Sequence, residues 1–178
     1  MNILKKAEQW AVFGRTWHLY DCNFQNPFDS AKIIKIHLNG LHKPIYHPMG
    51  DCGDHVVVMN TAKIALPGQE WLKRVYFHHT GYAGGATWTL AHELHAKDKT
   101  KIMHFAIYTS MKGNLSRRHA MQRVHLFPDD NIPKEILLNV SNQLRQARPV
   151  PKRIDEYDKK TVDEFPKIMD YPKHYVIE

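Results

Sequence analysis

Apolar residues along this chain fall in short runs whose period changes with position. His55-Val56-Val57-Val58-Met59 is the clearest run: β-branched, apolar throughout, and bounded by Gly53-Asp54 and Asn60. A stretch without a polar face predicts a central strand covered on both sides, as strands of parallel sheets are. Trp17-His18-Leu19-Tyr20, ending at Asp21, reads as a strand entering a loop. Arg74–His78 and Val124–Phe127 are two further strand candidates. Asn23 to Ser30 carries loop residues, and Ala31–Leu38 fits either a buried strand or one helical face stopping at Asn39-Gly40. From Thr87 to Arg123 the spacing becomes helical, with Leu90, Leu94, Ile102, Phe105, Ala106 and Met111 at three- and four-residue steps. Strands alternating with helices predict an α/β fold around a largely parallel sheet.

Beyond Pro128 the pattern loosens. Pro133 precedes Ile136, Leu137, Val140 and Leu144, a modest amphipathic helix. Pro149, Pro151, Pro166 and Pro172 punctuate the tail, with Thr161 to Glu164 fitting a capping box for one short helix. This division predicts a body over residues 1–130 and a helical, extended C-terminal segment over 131–178.

Composition narrows the class. With 178 residues, 43% hydrophobic and 24% charged, the chain is long and apolar enough to bury a core, and a disordered class is excluded. Its apolar runs are too short for a membrane-spanning helix. The formal charge of +7 is uneven: residues 1–149 hold 19 Lys+Arg against 11 Asp+Glu, and residues 150–178 hold 6 against 7. A positive body suits a polyanionic partner, nucleic acid before an anionic membrane. Cys22 and Cys52 stand apart without a CxxC, so both are expected as small buried filler in a reducing compartment. Lys5, Lys6 and Arg15 against the single acid Glu8 lean towards a mitochondrial presequence, without its Ser/Arg richness.

Thirteen histidines raise the question of metal. His92-Glu93-Leu94-His95 is one residue short of the H-E-x-x-H spacing that puts two imidazoles and a general base on one helical turn. Asp51 and Asp54, beside His55, offer carboxylates for a metal-dependent hydrolase built with His92 and His95. The Asp51-Cys52-Gly53-Asp54 turn has a simpler reading, because aspartates cap turns and glycine permits a tight bend. No nucleophile elbow, P-loop or dinucleotide fingerprint is present. No catalytic residue, metal, cofactor or small-molecule substrate is expected.

Three basic and aromatic groups carry more. The first is His42-Lys43-Pro44-Ile45-Tyr46-His47. The second is Lys73-Arg74 with Tyr76, His78, His79 and Thr80-Gly81-Tyr82-Ala83-Gly84-Gly85. The third is Lys112-Gly113-Asn114 followed by Arg117, Arg118, His119 and Arg123. Arginine forks match phosphate oxygens, glycines let the backbone come close, and aromatic rings stack on splayed bases. A free regulatory RNA binder and a ribosomal component both fit these patches.

The same groups, in order, resemble the large-subunit ribosomal protein L-thirteen family, especially its animal mitochondrial branch. The matching pieces are Trp17 with Asp21, Gly40 to His47, Asp51 to Asn60, and Lys63, Gly68 and Lys73. Then come Val75-Tyr76, His79 to Tyr82 with Gly84-Gly85, Asn114-Leu115, Arg117-Arg118, Arg123 and His125 to Asp129. Pro151-Lys152-Arg153 and Asp155-Glu156-Tyr157 resemble the extension of mitochondrial members. The resemblance implies a three-layer α/β/α domain with a four-stranded, mostly parallel sheet. It implies a structural, non-enzymatic role in the mitochondrial large ribosomal subunit, in the matrix, with large-subunit ribosomal RNA and neighbouring ribosomal proteins as partners. The RNA contacts it implies are Lys43, Tyr46, Lys73, His79, Thr80, Gly81, Tyr82, Gly84, Gly85, Asn114, Arg117, Arg118 and Arg123.

Overall fold

The computed structural model describes residues 14–166. The basic residues Lys5 and Lys6, with Glu8, and the tail proline Pro172 lie outside them. In chain order the elements are β1 (Trp17–Asp21), α1 (Pro27–Leu38), β2 (His55–Met59), α2 (Glu70–Lys73), β3 (Val75–His79) and β4 (Ala86–Leu90). They continue with α3 (Ala91–Lys97), α4 (Lys101–Ser110), α5 (Ser116–Met121), β5 (Val124–Leu126), α6 (Lys134–Asn139), β6 (Val140–Gln143) and α7 (Lys159–Asp163).

Four strands form one sheet in the order β5-β2-β1-β6, and all three pairings are parallel. Val56, Val57 and Val58 are all buried, as expected of a central strand. Registers Leu19↔Val57, Tyr20↔Val58 and His18↔Val56 put His18, Tyr20, Val56 and Val58 on one face. There Tyr20, Val56 and Val58 meet Ala31, Ile34 and Leu38 of α1 and Ile102, Met103, Ala106 and Ile107 of α4 in the core. The opposite face carries a stack in which the Trp17 ring lies 4.2 Å from His55 and 5.0 Å from His125. The chain steps one way from β1 to β2 to β5, then returns across two strands to β6. With right-handed crossovers, that reversal carries the β5–β6 connection, including α6, to the other side of the sheet from α1.

Local chemistry sets the boundaries. The ambiguous stretch before residue 38 is a helix, and it begins at Pro27, inside the expected loop. Asn26 Oδ1 accepts a hydrogen bond from Phe28 N at 3.0 Å, and Pro27 occupies the first turn, where no amide partner is needed. The helix stops at Leu38, and Gly40, with a φ of +72°, lets Leu41 N reach Ile36 O at 2.9 Å.

Three expectations are corrected. Thr87–Leu90 is not helical: Ala86–Leu90 pairs antiparallel with β3, from Val75↔Leu90 to His79↔Ala86. Its Thr and Trp residues favour a pleated strand once a partner is available. The helix after Pro133 stops at Asn139, and Val140–Gln143 instead adds to β1. The tail helix starts after Asp158, not at Thr161, with Asp158 extended at its N-cap. The boundary drawn at residue 130 therefore cuts through the sheet. Beyond β6, Leu144 N still bonds to Leu19 O, and Gln25 exchanges hydrogen bonds with the Arg148 backbone at 2.8 and 3.0 Å.

Truncation after Phe127 removes the edge strand and frees the β1 edge. The shortened chain is expected to melt at a lower temperature and less cooperatively than one ending after Pro149. Circular dichroism melts of the two forms would show it, and matching transitions would mean β6 contributes nothing to the body.

Candidate nucleic-acid interface

The amino ends of β1 and β2 meet over a fully buried carboxylate. Asp54 Oδ1 accepts from Thr16 N at 3.0 Å and from Lys43 Nζ, which also donates to Gly14 O at 2.9 Å. Its Oδ2 accepts from Thr16 Oγ1 at 2.9 Å and lies 3.0 Å from both His18 Nε2 and His42 Nε2. Burial alone would raise the Asp54 pKa. Hydrogen bonds from His18, Lys43 and Thr16 outweigh it and hold the carboxyl far below the usual range. The charge is retained because nearly every lone pair has a donor.

A second carboxylate closes the neighbouring turn. Arg123 grips Asp51 with both guanidinium nitrogens, at 2.8 and 2.9 Å, and donates to Leu38 O at 3.0 Å. Arg15 adds an ion pair to Asp51 at 2.9 Å. Gly53 is required between the two aspartates, because a Cβ there would collide with the Leu38 carbonyl and sit 2.7 Å from Arg123 Nη2.

Lys43 and Arg123 are thus not free phosphate ligands, contrary to expectation: both are buried and committed to Asp54 and Asp51. Lys43 lies only one residue past His42, yet the loop turns its ammonium inwards. Tyr46, on the same loop, stays exposed.

The second group forms an arm. β3 and β4 make a two-stranded hairpin with Thr80–Gly85 at its end, closed by Thr80 N to Gly85 O at 3.1 Å and Gly85 N to Tyr82 O at 2.9 Å. Gly81 and Gly84 hold φ of +90° and +72°, conformations that a side chain disfavours. His79 Nδ1 accepts from Gly81 N at 2.8 Å, fixing the first corner. Phe77, Trp88 and Tyr82 are 60%, 67% and 81% exposed. Lys73 is exposed at the arm's root. That root is clamped to the body: the Arg74 guanidinium lies 4.1 Å over the Phe28 ring, and Tyr76 stacks on Phe105 at 5.7 Å.

The third group connects to this root through α4. Arg117 lies 3.7 Å over the Tyr108 ring, and Arg118 is exposed beside it. Asn114 Oδ1 accepts from Ser116 Oγ and Arg117 N, starting α5. Phe105, Tyr108 and Thr109 stand three and four residues apart, on one face of α4. Phe105 and Thr109 line a groove of about 290 Å³ with Phe28, Arg74, Tyr76 and Phe77. Arg117, α4 and the hairpin root therefore form one continuous basic and aromatic surface. Sequence reasoning missed the α4 members Lys101, His104 and Tyr108. Their signal was an outward basic and aromatic repeat, masked by the apolar repeat of the inner face. His104 stacks on Tyr108 at 6.5 Å, and burial first, then Lys101, lowers its pKa, so it is neutral near pH 7.

The family model described as Ribosomal protein L13 matches residues 15–133. The chain belongs to the ribosomal protein L13 family. Among its relatives, the Drosophila melanogaster protein "Large ribosomal subunit protein uL13m" is 65% identical over 177 residues, 99% of each chain. "Large ribosomal subunit protein uL13" of Exiguobacterium sibiricum is 34% identical over 68% of this chain and 83% of its own. The Geobacter sulfurreducens protein of the same name is 33% identical over 76% and 94%. In this member of the family, the residues whose spacing suggested a hydrolytic set have other work. His92 Nδ1 and His95 Nε2 lie 3.2 and 3.0 Å from the carbonyls of Trp71 and Ala62. Glu93 accepts from Leu90 N at 3.3 Å at the start of α3. Asp51 is taken up by Arg15 and Arg123, and Asp54 by Thr16 and Lys43.

Removing the Asp54 charge leaves the Lys43 ammonium buried without its counter-ion. Asp54→Ala is expected to cost about 3–5 kcal/mol of stability, and pairing it with Lys43→Met should recover a large part. Urea denaturation of the single and double variants measures both effects. A loss below about 1 kcal/mol in Asp54→Ala would mean that water reaches the site.

Proposed function

We propose that this chain is a structural constituent of the mitochondrial large ribosomal subunit, located in the mitochondrial matrix, which binds large-subunit ribosomal RNA and neighbouring ribosomal proteins and performs no reaction. The full-length likeness to the Drosophila protein carries this reading, because it runs through the C-terminal segment while the Exiguobacterium and Geobacter likenesses cover 68% and 76% of the chain. The segment around Lys152-Arg153 and Asp155 to Tyr157 then belongs to the organellar form and extends along a partner.

The RNA-facing side consists of the outer surface of α4, the start of α5, and the hairpin arm. Arg118, Arg117, Lys101 and Lys73 meet phosphates; the backbone at Gly81, Gly84 and Gly85 approaches the sugar-phosphate chain; Tyr82 and Trp88 stack on bases or cover a partner's apolar surface. His79 and Thr80 shape the turn, and Asn114 shapes the start of α5. Lys43 and Arg123 act one step back, by fixing the loops that carry Tyr46 and the α5–β5 junction. No helix among the described residues is long and apolar enough to cross a membrane.

Two measurements test the proposal. Tagged chain expressed in mitochondria is expected to co-sediment with the large subunit on a gradient, whereas a free regulator would remain near the top. For the isolated protein with a ribosomal RNA fragment, Arg117→Ala with Arg118→Ala should weaken binding and flatten its salt dependence. Removing one phosphate-binding side chain reduces the log–log slope by about 0.7–0.9. An unchanged slope would assign these arginines to a protein neighbour.

A further inference from the structure

Three imidazoles converge beside Asp54. His18 comes from β1, His37 from the last turn of α1, and His42 from the loop after that helix. Their ring centroids lie 4.7 Å (His18–His37), 4.5 Å (His37–His42) and 5.7 Å (His18–His42) apart. One ring nitrogen of each lies within 4.8 Å of those of the other two. His18 is 4% exposed, and its Nδ1 is buried with no hydrogen-bond partner; His37 Nδ1 is in the same condition. Buried polar atoms are rarely left unpaired. Elsewhere among the described residues, no other group of three His, Cys, Asp or Glu donors comes this close.

Asp54 orients the cluster. With its carboxylate accepting from His18 Nε2, the neutral ring keeps its lone pair on Nδ1, the arrangement by which a carboxylate sets up a metal-binding histidine. Lys43 holds the other carboxylate oxygen, so Asp54 is pinned in place. His42 is the solvent-side member, with 29% of its side chain exposed, and offers both an entry path and room for a water as fourth ligand.

We propose that His18, His37 and His42 bind one divalent cation of the zinc class, tying β1, the end of α1 and the 40–50 loop together. Three neutral imidazoles suit zinc, which is held by nitrogen donors at about 2.0–2.1 Å in a tetrahedron. Neighbouring nitrogens in such a site stand about 3.3 Å apart, so modest ring rotations at His37 and His42 would close the triad. This set differs from the His92–His95 pair that spacing alone singles out. It does not depend on the ribosomal reading, because its test involves no RNA.

Full-length chain, stripped of metal with a chelator and then freed of the chelator, is titrated with Zn²⁺ against a chromophoric competitor. Co²⁺ serves as a second probe for the absorption of a tetrahedral site. One equivalent should bind, and His42→Ala and His37→Ala should each weaken it at least tenfold. His92→Ala with His95→Ala should leave it unchanged. Circular dichroism confirms that the variants are folded, and His42→Ala, at the solvent side, decides the matter if His37→Ala is not. Absence of stoichiometric uptake by the folded parent, or undiminished uptake in His42→Ala, overturns the proposal.

Discussion

A negative charge at the amino end of β2 is the constraint around which this fold is arranged. Asp54 is fully buried, and an unpaired carboxylate there would be prohibitively costly. Its neutralisation recruits the backbone and hydroxyl of Thr16 at the mouth of β1, an imidazole inside β1, and an ammonium from the loop after α1. Two chain segments, around residues 16–18 and around Lys43, are thereby fixed to the carboxylate of a third. Asp51 and Arg123 repeat the device at the entrance to β5, where the guanidinium also satisfies the Leu38 carbonyl at the buried end of α1. The sheet's amino edge is held by ion pairs, its centre by the valines of β2.

That arrangement divides the cations into two classes. Those facing carboxylates are spent inside the protein and contribute little to its outward field. Those of α5 and the hairpin root lie against rings: Arg117 over Tyr108, Arg74 over Phe28. A guanidinium stacked on a ring is oriented while its charge stays unneutralised, apart from the Arg74 ion pair with Glu70 at 2.7 Å. Orientation without neutralisation is the state suited to a phosphate ligand. Net charge counted along the sequence cannot distinguish these classes, because it gives Lys43 and Arg118 equal weight.

The legible parts of the fold were those with a strong local signal. Val56 to Val58 announced a central strand, Trp17 to Asp21 a second strand, and alternating periods the α/β class. The illegible parts depended on partners distant in the chain. Ala86–Leu90 carries apolar residues at spacings a helix also accepts, and only β3 decides in favour of a strand. Val140–Gln143 is polar at Ser141, Asn142 and Gln143, as an exposed edge strand can be, so nothing local marked it as part of the sheet. At the site, the adjacent arginines stand out in the sequence, and the structure leaves Arg118 exposed and Arg117 half-buried over Tyr108. The inward turn of Lys43 was hidden because Asp54 lies 11 residues on, beyond any local pattern.

The hairpin arm obeys the same logic of unfinished surfaces. A two-stranded ribbon with Phe77, Trp88 and Tyr82 largely exposed is a poor element for a chain standing alone, since isolated hairpins are marginal and exposed aromatic groups invite association. Its root is secured by Tyr76 on Phe105 and by the amide of Ala91 bonded to Arg74 O, so the ribbon is aimed, while its end is left open. Rigid at the base and uncovered at the tip is the form expected of an element completed by its partner. The glycines at the turn keep side chains out of the path of an approaching backbone, and the cations at the root supply attraction over a longer range than stacking. On the proposed RNA-facing arrangement, docking would proceed from charge to contact, with the aromatic arm coming into register after α4 and α5 meet phosphates.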